Sequence, residues 1–151
     1  TKEPTMRDKT SALPDWPVTI EQDVVWGDMD AFAHVNNTVY FRYFESARMR
    51  YFETIGYVKH LRATQQGPIL AKTECTFRAP LTYPDRLTIG CRTIALHADR
   101  FLTEYTVWSK RLQTAAARGT GIIVSYDYTT HSPCPLPNNI RVAIQDLDGI
   151  S

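Results

Sequence analysis

The hydrophobic residues follow two different periodicities along the chain. Near the N-terminus, alternation places four apolar residues on one face: Val18, Ile20, Val24 and Trp26. This pattern predicts a half-buried β-strand. From about Thr38 to Ile55 the apolar residues instead cover more than one face of a helix, and Gly56 follows as a stop signal. We therefore expect a long helix that other parts of the chain surround.

Beyond Gly67, apolar and polar residues alternate again in four stretches. Turn-forming residues separate these stretches, as at Tyr83-Pro84-Asp85. The apolar parity changes after Cys91, which predicts a β-bulge. Four small residues leave one strand face almost bare: Ala115, Ala117, Gly119 and Gly121. A bare face of this kind favours close packing against a helix.

The order of these elements indicates the fold class. One strand, one long helix and about four strands joined by hairpins predict an α+β domain, in which an antiparallel sheet curls around one helix. Three prolines then interrupt regular structure, and Asn138 is expected to cap a last short helix. Residues 1–15 are polar and predict a flexible arm without an apolar signal core. Residues 16–151 are expected to form a single domain.

Composition narrows the class of function. Lys and Arg total 17 against 16 Asp and Glu, so no basic field predicts binding to nucleic acid. The apolar runs are too short to span a membrane. The cysteines Cys75, Cys91 and Cys134 are scattered without a CxxC pair. They are expected to be free thiols, which favours a reducing, cytoplasmic location.

The link between the first strand and the long helix is unusually polar. It contains Asp28, Asp30, His34, Asn36 and Asn37. Helix capping explains one asparagine, but it does not require two carboxylates and a histidine. A helix N-terminus offers free N–H groups to a developing oxyanion, and a nearby carboxylate can attack a carbonyl or deprotonate water. The link therefore predicts a hydrolytic site that needs no metal and no cofactor.

The same residues carry a resemblance to a known family. The run Asp28-x-Asp30-x-x-x-His34-Val35-Asn36-Asn37-x-x-Tyr40, followed by Phe44-Glu45-x-Ala47-Arg48, resembles the hotdog-fold acyl-CoA thioesterases. It is most similar to the 4-hydroxybenzoyl-CoA thioesterase branch. The His-Val-Asn-Asn portion is also similar to acyl-ACP thioesterases. The resemblance extends to Phe77-Arg78-Ala79-Pro80 later in the chain.

The resemblance implies a hotdog fold, a homodimer or homotetramer, and active sites at the interface between subunits. It implies that Asp30 is the nucleophile or general base, and that an amide at Asn37 or a neighbour polarises the thioester carbonyl. It also implies a catalytic role for His34. Asp28 is expected to support the loop.

An acyl-CoA partner also requires binding residues. We assign this role to Asn36, Tyr40, Arg78 and Arg100. Other basic side chains that could meet coenzyme A phosphates are Lys72, Arg86, Lys110 and Arg111. Each of these basic residues is equally consistent with an outward strand or turn position.

The sequence predicts an enzyme, an acyl-CoA thioesterase, and leaves three alternatives open. The first is a hotdog module that binds acyl-CoA without turning it over. The second is a thioesterase acting on acyl-ACP. The third is a related dehydratase or isomerase that uses Asp30 as a base. The acyl group is not specified by the sequence.

Overall fold

A computed structural model describes residues 12–151 of the chain. The first eleven residues of the expected N-terminal arm lie outside the described residues. Within the rest of that arm, Leu13 is buried and lies next to Gly90 of the sheet. Trp16, the first residue after the arm, also lies next to Gly90. Residues just before the first strand therefore cover part of the outer sheet face.

An antiparallel sheet forms most of the structure. The strands are β1 Val18–Asp23, β2 Gln66–Phe77, β3 Arg86–Leu96, β4 Arg100–Ser109, β5 Thr114–Asp127 and the short β6 Ser132–Pro133. Their order is β1-β3-β4-β5-β2, with β6 paired to the end of β5. The helices are α1 Asn37–Thr54, α2 Tyr57–Thr64 and α3 Asn138–Asp148, and a 3₁₀ turn spans Trp26–Asp28. The predicted α+β architecture is confirmed.

Helix α1 packs its apolar side against the sheet, while a mostly polar stripe that includes Met49, at 46% exposure, faces away from the sheet. Phe44, Ala47 and Tyr51 are fully buried. The Phe44 ring stacks on the ring of Tyr105 in β4, with their centroids 4.7 Å apart. The helix ends before Gly56, whose φ of 80° is a left-handed conformation that glycine tolerates.

The nearly bare face of β5 admits this helix. A Cβ atom at Gly119 would lie 2.3 Å from the Phe44 ring and 2.5 Å from the carbonyl oxygen of Glu74. Any side chain at this position would push α1 away from the sheet. The sequence prediction that this face packs closely against the helix is confirmed.

The predicted bulge is also present in β3. The register between β3 and β4 shifts between Thr93 and Ala95. The N–H of Thr93 donates to Asp148 Oδ1 at 3.1 Å, and the hydroxyl of Tyr51 donates to the other oxygen of this carboxylate. The last turn of α3 is therefore tied to the bulge and to α1.

Two local expectations were wrong. Trp26 is 70% exposed, because β1 ends at Asp23 and the chain then turns. Asn138 does not cap α3, since Pro137 occupies the N-cap position. The segment after Gly56 forms the two-turn helix α2 before β2 begins. Within residues 12–151, none of the helices is long and apolar enough to cross a membrane.

Candidate active site

The polar link folds into a narrow loop that leads directly into α1. Met29 and Val35 pair as an antiparallel bridge, and the N–H of Asp30 donates to the carbonyl of His34 at 2.8 Å. Ala33 has a φ of 60°, which turns the chain at the loop tip. The backbone thus holds Asp30 and His34 across from each other at the base of this turn.

The carboxylate of Asp30 is oriented by its own loop. Its Oδ1 accepts a hydrogen bond from the N–H of Phe32 at 2.8 Å. This contact is an Asx turn, a local bond that asparagine and aspartate form readily. For the other oxygen, Oδ2, the described part of the chain offers no hydrogen-bond donor. One oxygen fixes the side chain, and the second is available for chemistry.

The entrance of α1 is capped by one asparagine and not by the other. Asn36 Oδ1 accepts from the N–H of Thr38 at 3.0 Å and from its hydroxyl at 2.9 Å. Asn37 is the first helical residue, and its N–H has no acceptor among residues 12–151. The backbone N–H of Asn37 is therefore a free donor at the positive end of the helix.

A second segment, between β2 and β3, anchors this loop. The N–H of Val35 donates to the carbonyl of Leu81 at 2.8 Å, and the N–H of Tyr83 contacts Met29 Sδ at 3.5 Å. Within the loop, the N–H of Asn36 donates to the carbonyl of Asp28 at 3.0 Å. The Asp28 carboxylate lies 3.9 Å from Arg42. These contacts hold the loop against the helix entrance.

A cavity of about 330 Å³ opens between the loop, the start of α1 and the end of β2. Its lining includes five of the predicted site residues: Asp30, His34, Asn37, Tyr40 and Arg78. Asn36 does not line it, because its side chain is used for capping. Arg100 begins β4 and pairs with Asp99. It lies nine residues, about 30 Å along the strand, from Ser109, which is at the end of β4 nearer the cavity. The structure does not bring Arg100 to this group within one chain.

The cavity has apolar lining that the sequence analysis did not select. Phe77, Ala79 and Pro80 form one wall. The rings of Phe77 and Tyr40 pack edge to face, with their centroids 5.0 Å apart. Alternation placed Phe77 on a strand, but only the antiparallel packing of β2 beside α1 shows that this strand ends at the site. The signal was present in the Phe-Arg-Ala-Pro run, from which only the arginine was chosen.

Cys75 lies near this wall without the properties of a nucleophile. Burial raises the pKa of its thiol to about 11. At neutral pH the side chain is therefore a neutral thiol, and the thiolate is the reactive form. Burial likewise raises the pKa of the Tyr40 hydroxyl. Asp30 adds to this cavity a carboxylate, a group that can attack a carbonyl or deprotonate water.

The chain is similar to known thioesterases in sequence and in fold. The family model described as the thioesterase-like superfamily matches residues 24–144. A thioesterase from Thermus thermophilus, crystallised with coenzyme A and Zn, is 31% identical, with a TM-score of 0.79 over 91% of this chain and 98% of that one. A proposed thioesterase from Pseudomonas aeruginosa is 30% identical, with a TM-score of 0.75 over 85% of this chain and 98% of that one.

A curated relative is known from a plant. The chloroplastic acyl-acyl carrier protein thioesterase ATL3 of Arabidopsis thaliana is 28% identical over 116 residues, which is 76% of this chain. The aligned region spans 60% of the length of that relative.

Proposed function

Because the chain belongs to the thioesterase-like superfamily, whose members are thioester hydrolases, we propose that it hydrolyses an acyl-CoA to the free acid and coenzyme A. One observation carries this proposal. Asp30, which has one carboxylate oxygen without a hydrogen bond, and Asn37, whose backbone N–H is free at the start of α1, line the same cavity. Thioester hydrolysis needs an activated oxygen and a donor for the developing oxyanion.

The Asn37 N–H supports the reaction by its position. The thioester carbonyl oxygen accepts a hydrogen bond from it, and the helix dipole stabilises the negative charge that develops on this oxygen. The Asn37 donor belongs to the backbone, so the side chain at this position is not required for it. The N-cap hydrogen bond, which the N–H of Thr38 donates to the Asn36 side chain, keeps this first turn in place.

Asp30 can act in two ways, as a general base or as a nucleophile. As a general base, it takes a proton from water, the water oxygen bonds to the acyl carbon, and the C–S bond breaks. The proton is then passed to the departing thiolate. As a nucleophile, its oxygen bonds to the acyl carbon and releases the thiolate, and water then hydrolyses the resulting anhydride. The two routes give the same products.

His34, Tyr40 and Arg78 complete the proposed site. His34 and Arg78 are exposed on the cavity wall, and neither forms an ion pair within the described residues. We assign His34 to orienting water or substrate, and Arg78 and Tyr40 to contacts with the substrate. Asn36 supports binding only through the helix entrance that it caps. Arg100 has no role in this site within one chain.

The free edge of β2 supports assembly with a second copy of the chain. Within residues 12–151, β2 pairs with β5 along one edge and has no strand neighbour along the other. Its apolar residues Ile69, Leu70 and Phe77 are 37%, 39% and 47% exposed. An exposed apolar edge favours pairing with another strand. We propose a homodimer through β2, which can pair further into a homotetramer, and this edge lies beside the cavity at Phe77. The free thiols remain the reason to expect a cytoplasmic location.

The proposal is tested by thiol release from a panel of aliphatic and aromatic acyl-CoAs, followed with a thiol-reactive dye. The expected result is release of one thiol for each free acid formed. Tight binding of acyl-CoA without release would instead support a binding module. Release from acyl-ACP alone would support the carrier-protein alternative.

A further inference from the structure

A second cavity lies beside the proposed reaction site. It has a volume of about 620 Å³ and is lined by residues that include Tyr83, Lys110 and Arg111. The segment between β2 and β3 separates the two cavities. Its start, at Arg78 and Pro80, lines the reaction cavity, and its end, at Tyr83, lines the second one.

The second cavity presents positive charge that is not neutralised by its own acids. Asp23 is paired with Arg86 at 3.0 Å. Asp85 accepts hydrogen bonds from the hydroxyl of Ser109 and, at 3.0 Å, from the backbone N–H of Arg111. Both lining carboxylates therefore already have partners.

Two cations of this cavity lack an acidic partner. Within residues 12–151, no carboxylate lies at ion-pair distance from Lys110 or Arg111. The Arg111 guanidinium is instead positioned by a hydrogen bond to Thr82 Oγ1 at 2.7 Å. Both side chains are exposed, so they are available to an anion.

The cavity also has an aromatic wall. Tyr83 is about half exposed, at 49%, and its backbone N–H contacts Met29 Sδ at 3.5 Å. Met29 is the residue directly before Asp30. The aromatic wall is thus fixed to the loop that carries the proposed catalytic carboxylate. The stretch from Arg78 to Tyr83 is short, since three to six residues span on the order of 10–20 Å. An extended ligand with its thioester at Asp30 can therefore reach the second cavity.

We propose that this second cavity binds the nucleotide end of the substrate, with the phosphates at Lys110 and Arg111 and the purine against Tyr83. Arginine and lysine are the side chains that bind phosphate oxygens most strongly, and aromatic rings stack on flat bases. The inference rests on the proposed function, and it specifies that the substrate is a free coenzyme A thioester rather than a thioester on a carrier protein. A carrier protein presents the pantetheine arm without this nucleotide.

The test compares two thioesters of the same acyl group, one on coenzyme A and one on pantetheine, which lacks the nucleotide. The enzymes are wild type, Lys110→Gln, the double variant Lys110→Gln/Arg111→Gln, and Arg118→Gln as a control. Arg118 is an exposed arginine on β5 that lines neither cavity. The single lysine variant guards against an effect of losing the bond to Thr82. Binding of 3′,5′-ADP is measured in parallel by calorimetry.

The expected result is a kcat/KM on acyl-CoA lowered about tenfold or more in the double variant, mainly through KM, with acyl-pantetheine unaffected. Arg118→Gln should leave both substrates unchanged, and 3′,5′-ADP should bind the wild type more tightly than the double variant. Equal losses on both substrates would overturn the inference. The inference would also be overturned by a wild type that prefers a thioester on an acyl-carrier protein and loses activity on it in Lys110→Gln. If no thioester is hydrolysed, the proposed function fails, while 3′,5′-ADP binding still decides the nucleotide site.

Discussion

At the scale of single residues, the two neighbouring asparagines of the α1 entrance have different tasks. Asn36 uses its side chain, which caps the helix at Thr38. Asn37 is assigned its role in the proposed reaction through its backbone N–H, which is free at the start of the helix. A substitution therefore affects these positions differently, although both side chains are the same. The sequence predicted a cap and a polarising amide here, but only the capping bond shows which asparagine has which task.

Asn36→Ala should lower the free energy of unfolding by about 1 kcal/mol, because it removes the N-cap. It should also reduce kcat, since the frayed first turn no longer holds the Asn37 N–H. Asn37→Ala should keep thioesterase activity within about threefold of wild type. Urea denaturation and steady-state thiol release measure the two effects. An Asn37→Ala variant that loses activity a hundredfold would show that the side chain, not the backbone, binds the oxyanion.

Asp148 gives the stability of the protein a pH dependence. Burial raises the pKa of this carboxyl, while hydrogen bonds from Tyr51 and Thr93 oppose the shift. The folded state therefore holds the Asp148 proton more tightly than the unfolded state, where the pKa is about 3.9. The stabilisation that comes from holding this proton is complete below the pKa of the unfolded state. It is lost as the pH rises through the pKa of the folded state.

The variant Asp148→Asn should remove this component. Its free energy of unfolding should fall less than that of wild type when the pH rises from about 3.9 towards neutrality. An amide keeps an acceptor for the Thr93 N–H, so the fold is retained. Asp146→Asn, at an exposed position two residues earlier, serves as the control. Parallel stability curves for wild type and Asp148→Asn would contradict the assignment.

At the scale of elements, the contact between α1 and β5 determines how closely the helix approaches the sheet. The sequence revealed both partners, as a helix apolar on several faces and a strand with small residues on one face. It also revealed the bulge in β3. It did not reveal α2 or the wall at Phe77, because short helices and strand ends are determined by tertiary packing rather than by periodicity.

Gly119→Ala should destabilise the protein by about 1–3 kcal/mol, since its methyl group overlaps the Phe44 ring and the Glu74 carbonyl. Thermal unfolding checks this value. The control is Gly27→Ala, where a Cβ atom has nothing within 4 Å. An unchanged melting temperature in Gly119→Ala would mean that α1 does not lie this close to β5.

At the scale of the whole molecule, the reaction cavity lies between the second cavity, with Lys110 and Arg111, and the exposed edge strand β2. The proposed reacting groups could be selected from the sequence because Asp30, His34 and Asn37 lie in one short link. The walls at Phe77 and Pro80 were not, since they lie about forty residues further along the chain. The proposed assembly uses the β2 edge, whose exposure becomes visible only when the strand order is known.

Leu70→Lys should weaken the proposed dimer, because it places a charge on the exposed edge strand β2. Sedimentation velocity should show a shift from dimer to monomer and a parallel loss of thioesterase activity. Val142→Lys, on the exposed side of α3, is the matched control and should remain dimeric. A wild type that is monomeric and fully active would contradict assembly through β2.

The role of the Asp30 carboxylate, as nucleophile or general base, is tested most directly by the turnover number of Asp30→Asn. This is measured by thiol release with the best acyl-CoA substrate. Asparagine keeps the acceptor for the Phe32 N–H, so the loop should stay folded while the charge is lost. Asp28→Asn makes the same change two residues earlier and should retain activity within about fivefold. Asp30→Asn should lower kcat about a hundredfold or more. Near-wild-type turnover in a folded Asp30→Asn protein would contradict this role of the carboxylate.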